Sequence, residues 1–317
     1  MKQLATTTQS DIQPSMDGAA IITAYLAQLD ASDKTRATYE RSLRQWAGYL
    51  ETNGLTVMEA TRRTVLAYKS ELESTKKAAT VNAYLSAVRG LYAYLEAEGI
   101  KPNVAASVKG VRRSQASPKD ALTVAQAREL LADKPGEGAT LSELRDYAII
   151  NLLARRGLRT IEAVRANIGD VRQVNGEAVL YVQGKGYADK SDFVILNQAC
   201  LAPLYAYLEA RGCKDPEAPL FASHAHQNKG GRMSTYSISR IVKAAFKRHG
   251  IEAASLTAHS LRHTAVTLAQ QGGASIQDVS RLVHHKHLDS TAIYDHSRVS
   301  ERRAVEALDS IFDEVIA

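Results

Sequence analysis

Residues 177–196 read EAVLYVQGKGYADKSDFVIL and carry the pattern of two β-strands. EAVLYVQ and SDFVIL are short, mostly apolar segments, and we interpret them as strands. The segment between them, GKGYADK, is rich in glycine and polar residues and is prone to turn. The other periodic segments of the 317-residue chain have helical spacing. We therefore predict a mainly α fold with a small antiparallel β-sheet.

Helical periodicity surrounds this hairpin and predicts an α+β domain over residues 121–317. Before the hairpin, two segments have helical spacing, and Thr123 is placed to cap the first of them. The two segments are VAQARELLAD and SELRDYAIINLLARRG. Five more follow the hairpin: LAPLYAYLEARG, TYSISRIVKAAFKRHG, HSLRHTAVTLAQQGG, SIQDVSRLVHH and SERRAVEALDSIFDEVIA.

The first third of the chain reads as a separate helical bundle. Three segments have apolar residues at helical spacing: TRATYERSLRQWAGYLETNG, TRRTVLAYKSEL and ATVNAYLSAVRGLYAYLEAEG. Residues 1–18 are polar and irregular, which predicts a flexible tail before a domain at residues 19–110. The following residues mix Pro, Gly, Ser and basic side chains without periodicity, and we place a basic linker at 111–120.

Composition narrows the class of protein only moderately. The formal charge is +6 and the pI is about 9.2, which favours a polyanionic partner. The two cysteines, Cys200 and Cys213, form no disulfide or zinc pattern and fit a reducing cytoplasm. The sequence has no hydrophobic signal core and no apolar run long enough to span a membrane. We expect a cytoplasmic, nucleoid-associated protein without membrane contact.

Basic residues are concentrated in the helical bundle and at the linker. The candidates for contact with nucleic acid are Arg36, Arg41, Arg44, Lys76, Lys77, Arg89, Arg112 and Arg113. These residues either keep the surface soluble or bind the phosphate backbone of DNA.

The residues that can carry chemistry are spread over the second domain. His259 and Arg262 are three residues apart and so share one helix face in HSLRH. Arg159 follows a glycine at a helix junction, and Lys185 lies in the turn of the hairpin. Near the C-terminus, VHHKHLDSTAIYDH ends in Tyr294. Such a set of cations, histidines and one phenol suits the binding of a phosphodiester while the phenol attacks it.

These segments resemble the motifs of the tyrosine recombinase, or phage integrase, family. GLRTIEA resembles GLRxSEL, and GKGYADK resembles GKGxKxR. AHSLRHTAVT is similar to HxLRH[ST]xxT, and VHHKHLDSTAIYDH is similar to LGHxxxxTTxxYxH. The resemblance runs from about residue 20 to the end, and the ordered set is specific although each motif alone is weak. It assigns the six catalytic positions to Arg159, Lys185, His259, Arg262, His285 and Tyr294.

The chain departs from the family pattern at five positions. Val283 and His284 replace a leucine and a glycine, and Ser290 replaces a threonine. In the hairpin turn, Ala188 and Lys190 replace the second lysine and the arginine. Lys190 therefore remains an alternative to Lys185 as the catalytic acid.

The resemblance implies a role for each residue. Arg159 and Arg262 bind the non-bridging phosphate oxygens, and His285 donates a further hydrogen bond. Tyr294 attacks the phosphate, and His259 accepts its proton or orients it. Lys185 protonates the leaving 5′ hydroxyl, while Glu162 supports Arg159 or a histidine. Because the phosphotyrosine stores the energy of the broken bond, no ATP and no metal is needed, and we expect no cofactor.

The resemblance also implies the architecture and partners of a simple two-domain recombinase, similar to Xer and transposon integrases. A SAM-like core-binding bundle and the catalytic domain bind a double-stranded DNA core site. A homotetramer on synapsed DNA passes through a Holliday junction in integration, excision or resolution, with or without a second recombinase or accessory factor. Two alternatives are a type IB topoisomerase and a catalytically silent DNA-binding regulator.

Two local questions remain open in the sequence. His284, His285 and His287 resemble a metal-binding tract, but no carboxylate or cysteine cluster accompanies them, so we expect no metal site. The C-terminal segment aligns apolar residues on one helix face, and this stripe packs on its own domain or, as an oligomerisation helix, into a neighbouring protomer. The stripe consists of Val305, Leu308, Ile311, Phe312 and Val315.

Overall fold

The computed structural model of the chain describes residues 18–112, 121–184, 189–251, 255–283 and 296–313. The chain divides into two compact units, Met1–Ala116 and Ser117–Ala317. The division falls inside the predicted linker at 111–120.

The first unit is a bundle of four helices in the described part of the chain. They are α1 (Gly18–Gln28), α2 (Asp33–Thr52), α3 (Arg62–Thr75) and α4 (Ala78–Ala97). Ser32 and Thr61 cap α2 and α3, because each side chain accepts a hydrogen bond from a backbone N–H of the first turn. Gly18 begins α1, and the apolar residues Ile21 and Ile22 of this helix are buried.

Aromatic residues fill the centre of this bundle. Trp46 is fully buried, and its ring lies 4.9 Å from that of Tyr68 and 6.3 Å from that of Tyr92. The hydroxyl of Tyr92 donates to the carbonyl of Val57, which ties the loop after α2 to α4. The helical spacing of the sequence therefore corresponds to one apolar core.

The second unit contains eight described helices around a small sheet. The two before the sheet motif, α5 (Val124–Ala132) and α6 (Leu141–Arg156), begin at the caps Thr123 and Thr140. The remaining helices are α7 (Thr160–Arg165), α8 (Gln198–Arg211), α9 (Thr235–Arg248), α10 (Ala258–Gln271), α11 (Ile276–Leu282) and α12 (His296–Asp313). Thr123 caps α5 as predicted.

The sheet has three antiparallel strands in sequential order. They are β1 (Val171–Val174), β2 (Glu177–Val182) and β3 (Asp192–Leu196). β2 pairs with β3 from Ala178 opposite Leu196 to Val182 opposite Asp192, so the predicted hairpin is correct. β1 was not predicted; it joins β2 through Asn175 and Gly176, which both have positive φ.

The fold class is therefore confirmed: the chain is mainly α with one small antiparallel sheet. The helices α1 and α7 were not predicted, because neither carries a long periodic pattern. Among the described residues, no helix is long and apolar enough to cross a membrane.

The C-terminal helix α12 packs on its own domain. Val305, Leu308 and Phe312 are buried, and Ile311 is partly buried. The guanidinium of Arg128 on α5 donates two hydrogen bonds, of 2.9 and 2.7 Å, to the carbonyl of Ile311. Val315 lies outside the described residues, and the predicted role in oligomerisation stays a prediction.

A buried threonine joins the start of the second unit to α10. The hydroxyl of Thr264 accepts from the backbone N–H of Leu122 at 2.8 Å and donates to the carbonyl of Ser260 at 2.9 Å. We expect Thr264→Val to lower the free energy of unfolding by about 1–3 kcal/mol, since valine has the same shape but leaves the buried N–H of Leu122 unpaired.

Urea denaturation followed by circular dichroism measures this loss. The control is Thr267→Val, the same change at a half-buried position of α10, which we expect to alter stability by about 0.5 kcal/mol or less. Equal stability of the two variants would contradict the prediction.

Candidate active site

Arg159 lies in the turn between α6 and α7, where a buried carboxylate holds it. α6 ends at Gly157, whose φ of 60° is left-handed, and the chain then passes through the buried Leu158 to Arg159. One carboxylate oxygen of Glu162 accepts from the backbone N–H of Arg159 and the other from its guanidinium, both at 2.7 Å. Glu162 is fully buried, whereas a quarter of the Arg159 side chain is exposed. Glu162 thus fixes the position of the Arg159 guanidinium.

Arg262 projects inward from α10 and is 2% exposed. Its guanidinium donates to the carbonyl of Gly157 at 2.6 Å and to the carbonyl of Val283. Burial, and then the positive charge of Arg159, lower the pKa of Arg262 to about 10, so it remains charged at neutral pH. Of its five N–H donors, these contacts use two.

These contacts make Arg262 the meeting point of three segments. Gly157 begins the turn that carries Arg159, and Val283 ends α11, immediately before the predicted histidine and tyrosine motif. Arg262 therefore brings the two arginine motifs together and fixes where the third segment begins.

His259 lies in the first turn of α10 and is exposed. Its ring stands perpendicular to that of His263, with 4.6 Å between the centroids. The sequence predicted that His259 and Arg262 project together from the helix. The two side chains differ in exposure, because His259 is exposed whereas Arg262 is buried.

Of the two lysine candidates of the hairpin, the structure describes only Lys190. The Nζ of Lys190 lies 2.5 Å from a carboxylate oxygen of Asp170, whose side chain is 8% exposed. That same oxygen accepts from the backbone N–H of Asn167 at 2.6 Å. Lys190 is therefore neutralised by a buried carboxylate. Lys185 lies outside the described residues.

The last catalytic motif also lies outside the described residues. His285 and Tyr294 fall between Val283 and the start of α12, as do the histidines of the metal alternative. In the described part of the chain, no three His, Cys, Asp or Glu side chains are grouped as metal ligands would be.

The basic residues predicted to contact nucleic acid differ in how far the fold already uses them. Arg36 donates to the carbonyl of Leu29 at 3.1 Å, and Arg89 donates to the carbonyl of Val108. Both guanidiniums therefore make hydrogen bonds within the bundle. Arg44 is mostly exposed and pairs with Glu40 at 2.5 Å. The others described are exposed and have no ionic partner within the described residues: Arg41, Lys76, Lys77 and Arg112. Arg113 lies outside that range.

Sequence reasoning missed a basic stripe on α9. Tyr236 is 71% exposed, and Arg240, Lys243 and Lys247 follow it on the same exposed face. Their spacing of four, three and four residues is the helical signal that identifies the stripe once the buried face is known.

Gly157 is the tightest position in this site. A β-carbon there would lie 2.9 Å from Cγ1 of Val283 and 3.2 Å from Cβ of Ala265. We expect Gly157→Ala to destabilise the protein by about 1–3 kcal/mol through crowding, in addition to about 1 kcal/mol for the left-handed backbone.

The control is Gly212→Ala at the end of α8, where φ is 68° but the space for a β-carbon is open. Urea denaturation of both variants separates crowding from backbone strain. Equal destabilisation would show that Val283 and Ala265 do not confine Gly157.

Comparison with known proteins agrees with this geometry. The model of the phage integrase family matches residues 121–301, and that of the phage integrase N-terminal SAM-like domain matches residues 22–99. Tyrosine recombinase XerC of Pelobacter propionicus is 30% identical over 304 residues, which are 94% of this chain and 96% of that protein.

Two solved structures share the fold at low identity. The XerH site-specific recombinase bound to palindromic difH, in a post-cleavage complex, has a TM-score of 0.68 at 19% identity over 95% of this chain and 84% of that one. A lambda integrase tetramer bound to a Holliday junction has a TM-score of 0.62 at 17% identity over 88% of this chain and 80% of that one.

The match to the family model and the identity to XerC show the family. The chain therefore belongs to the phage integrase family and is a tyrosine recombinase, an enzyme that cleaves and rejoins DNA at specific sites.

Proposed function

We propose that Tyr294 of this recombinase attacks a DNA phosphate held by Arg159 and Arg262, forming a 3′-phosphotyrosyl intermediate and releasing a 5′ hydroxyl. The observation that carries this is the meeting of two guanidiniums from distant segments at one turn. Arg262 contacts the carbonyl of Gly157, two residues before Arg159, and the charge of Arg159 lowers its pKa. Like charges are brought together in this way where an anion is to be bound.

The two arginines have different tasks at the phosphate. Arg159 is bound to Glu162 through Nη1, and the exposed quarter of its side chain gives it access to one non-bridging oxygen. Arg262 is held by carbonyls, which accept hydrogen bonds without cancelling its charge. Together they stabilise the negative charge that grows on the phosphate oxygens during attack.

His259, His285 and Tyr294 complete the site in this proposal. The exposed imidazole of His259 is accessible to a bound strand and accepts the phenol proton or orients it. A free tyrosine has a pKa of about 10, so the nearby cations are needed to favour the phenolate in attack. His285 donates a hydrogen bond to a phosphate oxygen.

Lys185 is our choice for the acid that protonates the leaving 5′ hydroxyl. The support comes from Lys190, whose ammonium is bound to the carboxylate of Asp170. A proton donor has to reach the leaving oxygen, and this ion pair holds Lys190 elsewhere.

DNA is bound by basic surfaces on both units in this proposal. Arg41, Lys76, Lys77 and Arg112 of the first unit are exposed, and the stripe on α9 is exposed in the second. Phosphate contacts position the protein without reading the sequence, whereas the aromatic Tyr236 offers an apolar contact to bases. The substrate is a double-stranded core site.

We further propose that the enzyme acts in the cytoplasm as a homotetramer on two synapsed sites, through a Holliday junction. Support for the tetramer comes from the lambda integrase tetramer on such a junction. The two cysteines, Cys200 and Cys213, form no disulfide in the described part of the chain, which fits a reducing compartment. A second recombinase or an accessory factor is compatible with this reaction, and the proposal requires no cofactor.

Tyr294→Phe tests the nucleophile. The substrate is a nicked duplex whose sequence is first defined by selecting bound DNA from a random library. We expect wild-type protein to form a covalent protein–DNA band on a denaturing gel and Tyr294→Phe to form none while still binding the duplex.

The control is Tyr205→Phe, which removes the hydroxyl of an exposed tyrosine on α8 and keeps the band. A band with Tyr294→Phe would exclude Tyr294 as the nucleophile. Tight binding without any covalent band for wild-type protein would indicate a silent DNA-binding regulator.

Lys185→Gln and Lys190→Gln identify the acid. We expect Lys185→Gln to slow cleavage by about 10²–10⁴-fold on an ordinary nicked duplex, the usual contribution of general acid catalysis. The loss should disappear when sulfur replaces the bridging 5′ oxygen, because a thiolate leaves without being protonated. Single-turnover cleavage of both substrates measures this.

Lys190→Gln is the matched control and should cleave both substrates alike. The reverse pattern, with sulfur rescuing only Lys190→Gln, would assign the acid to Lys190 instead.

A further inference from the structure

A buried carboxylate outside the catalytic motifs binds two arginines next to the active site. Asp309 on α12 is 6% exposed. One of its oxygens lies 3.0 Å from Nη1 of Arg155, and the other lies 3.1 Å from Nη2 of Arg156. The amide of Asn197 also donates to this carboxylate. Both carboxylate oxygens are therefore occupied.

Asp309 joins three separate segments, namely its own helix α12 and the two segments that carry its partners. Arg155 and Arg156 are the last residues of α6 and directly precede Gly157. Asn197 caps α8 just after β3, the strand that follows the lysine turn. α12 itself begins two residues after the proposed nucleophile, Tyr294. One carboxylate thus joins the end of α6 just before Arg159, the residue that follows β3, and the helix that follows Tyr294.

Helix α12 supplies the carboxylate that pairs with the two buried arginines at the end of α6. Arg156 is fully buried and Arg155 is 6% exposed, and Asp309 supplies the carboxylate for both. Taking two guanidiniums out of water is costly unless they are paired. The ring of Phe312, also on α12, lies 5.0 Å from the guanidinium carbon of Arg155. If α12 were displaced, both contacts would be lost together, and the end of α6 would lose the part of its support that comes from α12.

A displacement of the end of α6 would also move the residues of the proposed phosphate site. Only Gly157 and the buried Leu158 separate Arg156 from Arg159. The carbonyl of Gly157 also receives the hydrogen bond from Arg262. Both arginines of the proposed phosphate site therefore depend on where α6 ends.

We propose that Asp309 is a positioning residue for DNA cleavage, which couples the docking of α12 to the geometry of Arg159 and Arg262. Asp309 does not touch the reacting phosphate. It holds the α6 end through Arg155 and Arg156 only while α12 is docked, so the site is complete only when the helix after the nucleophile is in place. This inference rests on the proposed roles of the two arginines.

Asp309→Asn in the full-length protein tests the coupling, because it keeps the shape and removes the charge. We expect single-turnover cleavage of the selected nicked duplex to slow by about 10–100-fold, as misplacement of a catalytic group by an ångström or less can cause. The affinity for the same duplex should be unchanged. Both are measured at a temperature where circular dichroism shows each variant to be folded.

The control is Glu306→Gln, which removes a carboxylate from the exposed face of the same helix. We expect it to cleave at the wild-type rate. If Asp309→Asn does not fold, Asp309→Glu takes its place, since it keeps the charge but moves it by one methylene. Wild-type cleavage by a folded Asp309 variant would overturn the proposal.

Amide hydrogen exchange tests the coupling independently of the proposed reaction. Peptides covering residues 154–166 should exchange faster in Asp309→Asn than in Glu306→Gln, whether or not the DNA is cleaved. Unchanged exchange there would refute the coupling even if wild-type protein cleaves. Faster exchange together with no cleavage by wild-type protein would leave the coupling standing and refute the proposed reaction.

Discussion

The burial of the Arg262 guanidinium is the constraint on which the site depends. A buried cation has to be surrounded by acceptors, and the structure provides the carbonyls of Gly157 and Val283. Each of these carbonyls lies at the end of a helix, where backbone acceptors are not used within the helix itself. One side chain therefore satisfies two helix ends and fixes the position of α6 and α11 relative to α10.

The choice of acceptors decides the charge of the site. Arg159 is paired with Glu162, so these two side chains together are neutral. Arg262 binds only neutral carbonyls in the contacts described above, and its pKa of about 10 leaves it charged. The three side chains therefore carry one positive charge in excess, and a quarter of the Arg159 side chain is exposed. A second carboxylate in place of the carbonyls would neutralise the excess positive charge that attracts a phosphate.

The sequence predicted most of the secondary structure because long apolar periods are the strongest local signal. It missed α1, which carries no long periodic pattern, and β1 and α7, which have four and six residues and are too short to show one. The Asn175-Gly176 pair was the available signal for β1, since it favours the tight turn that the structure has there. The opposite exposures of His259 and Arg262 had no such signal. Their spacing defines a shared helix side, but tertiary packing decides which side chain is enclosed.

Tertiary packing also decides which basic residues are available to contact DNA. A count of basic residues cannot tell which guanidiniums are already used inside the fold. Arg36 and Arg89 were candidates for DNA contact, yet both donate to backbone carbonyls of their own bundle. The stripe of Arg240, Lys243 and Lys247 on α9 was overlooked, although its side chains are exposed. Because an exposed cation without a partner loses less on binding a phosphate than one already paired, the partners inside the fold decide which basic residues can face DNA.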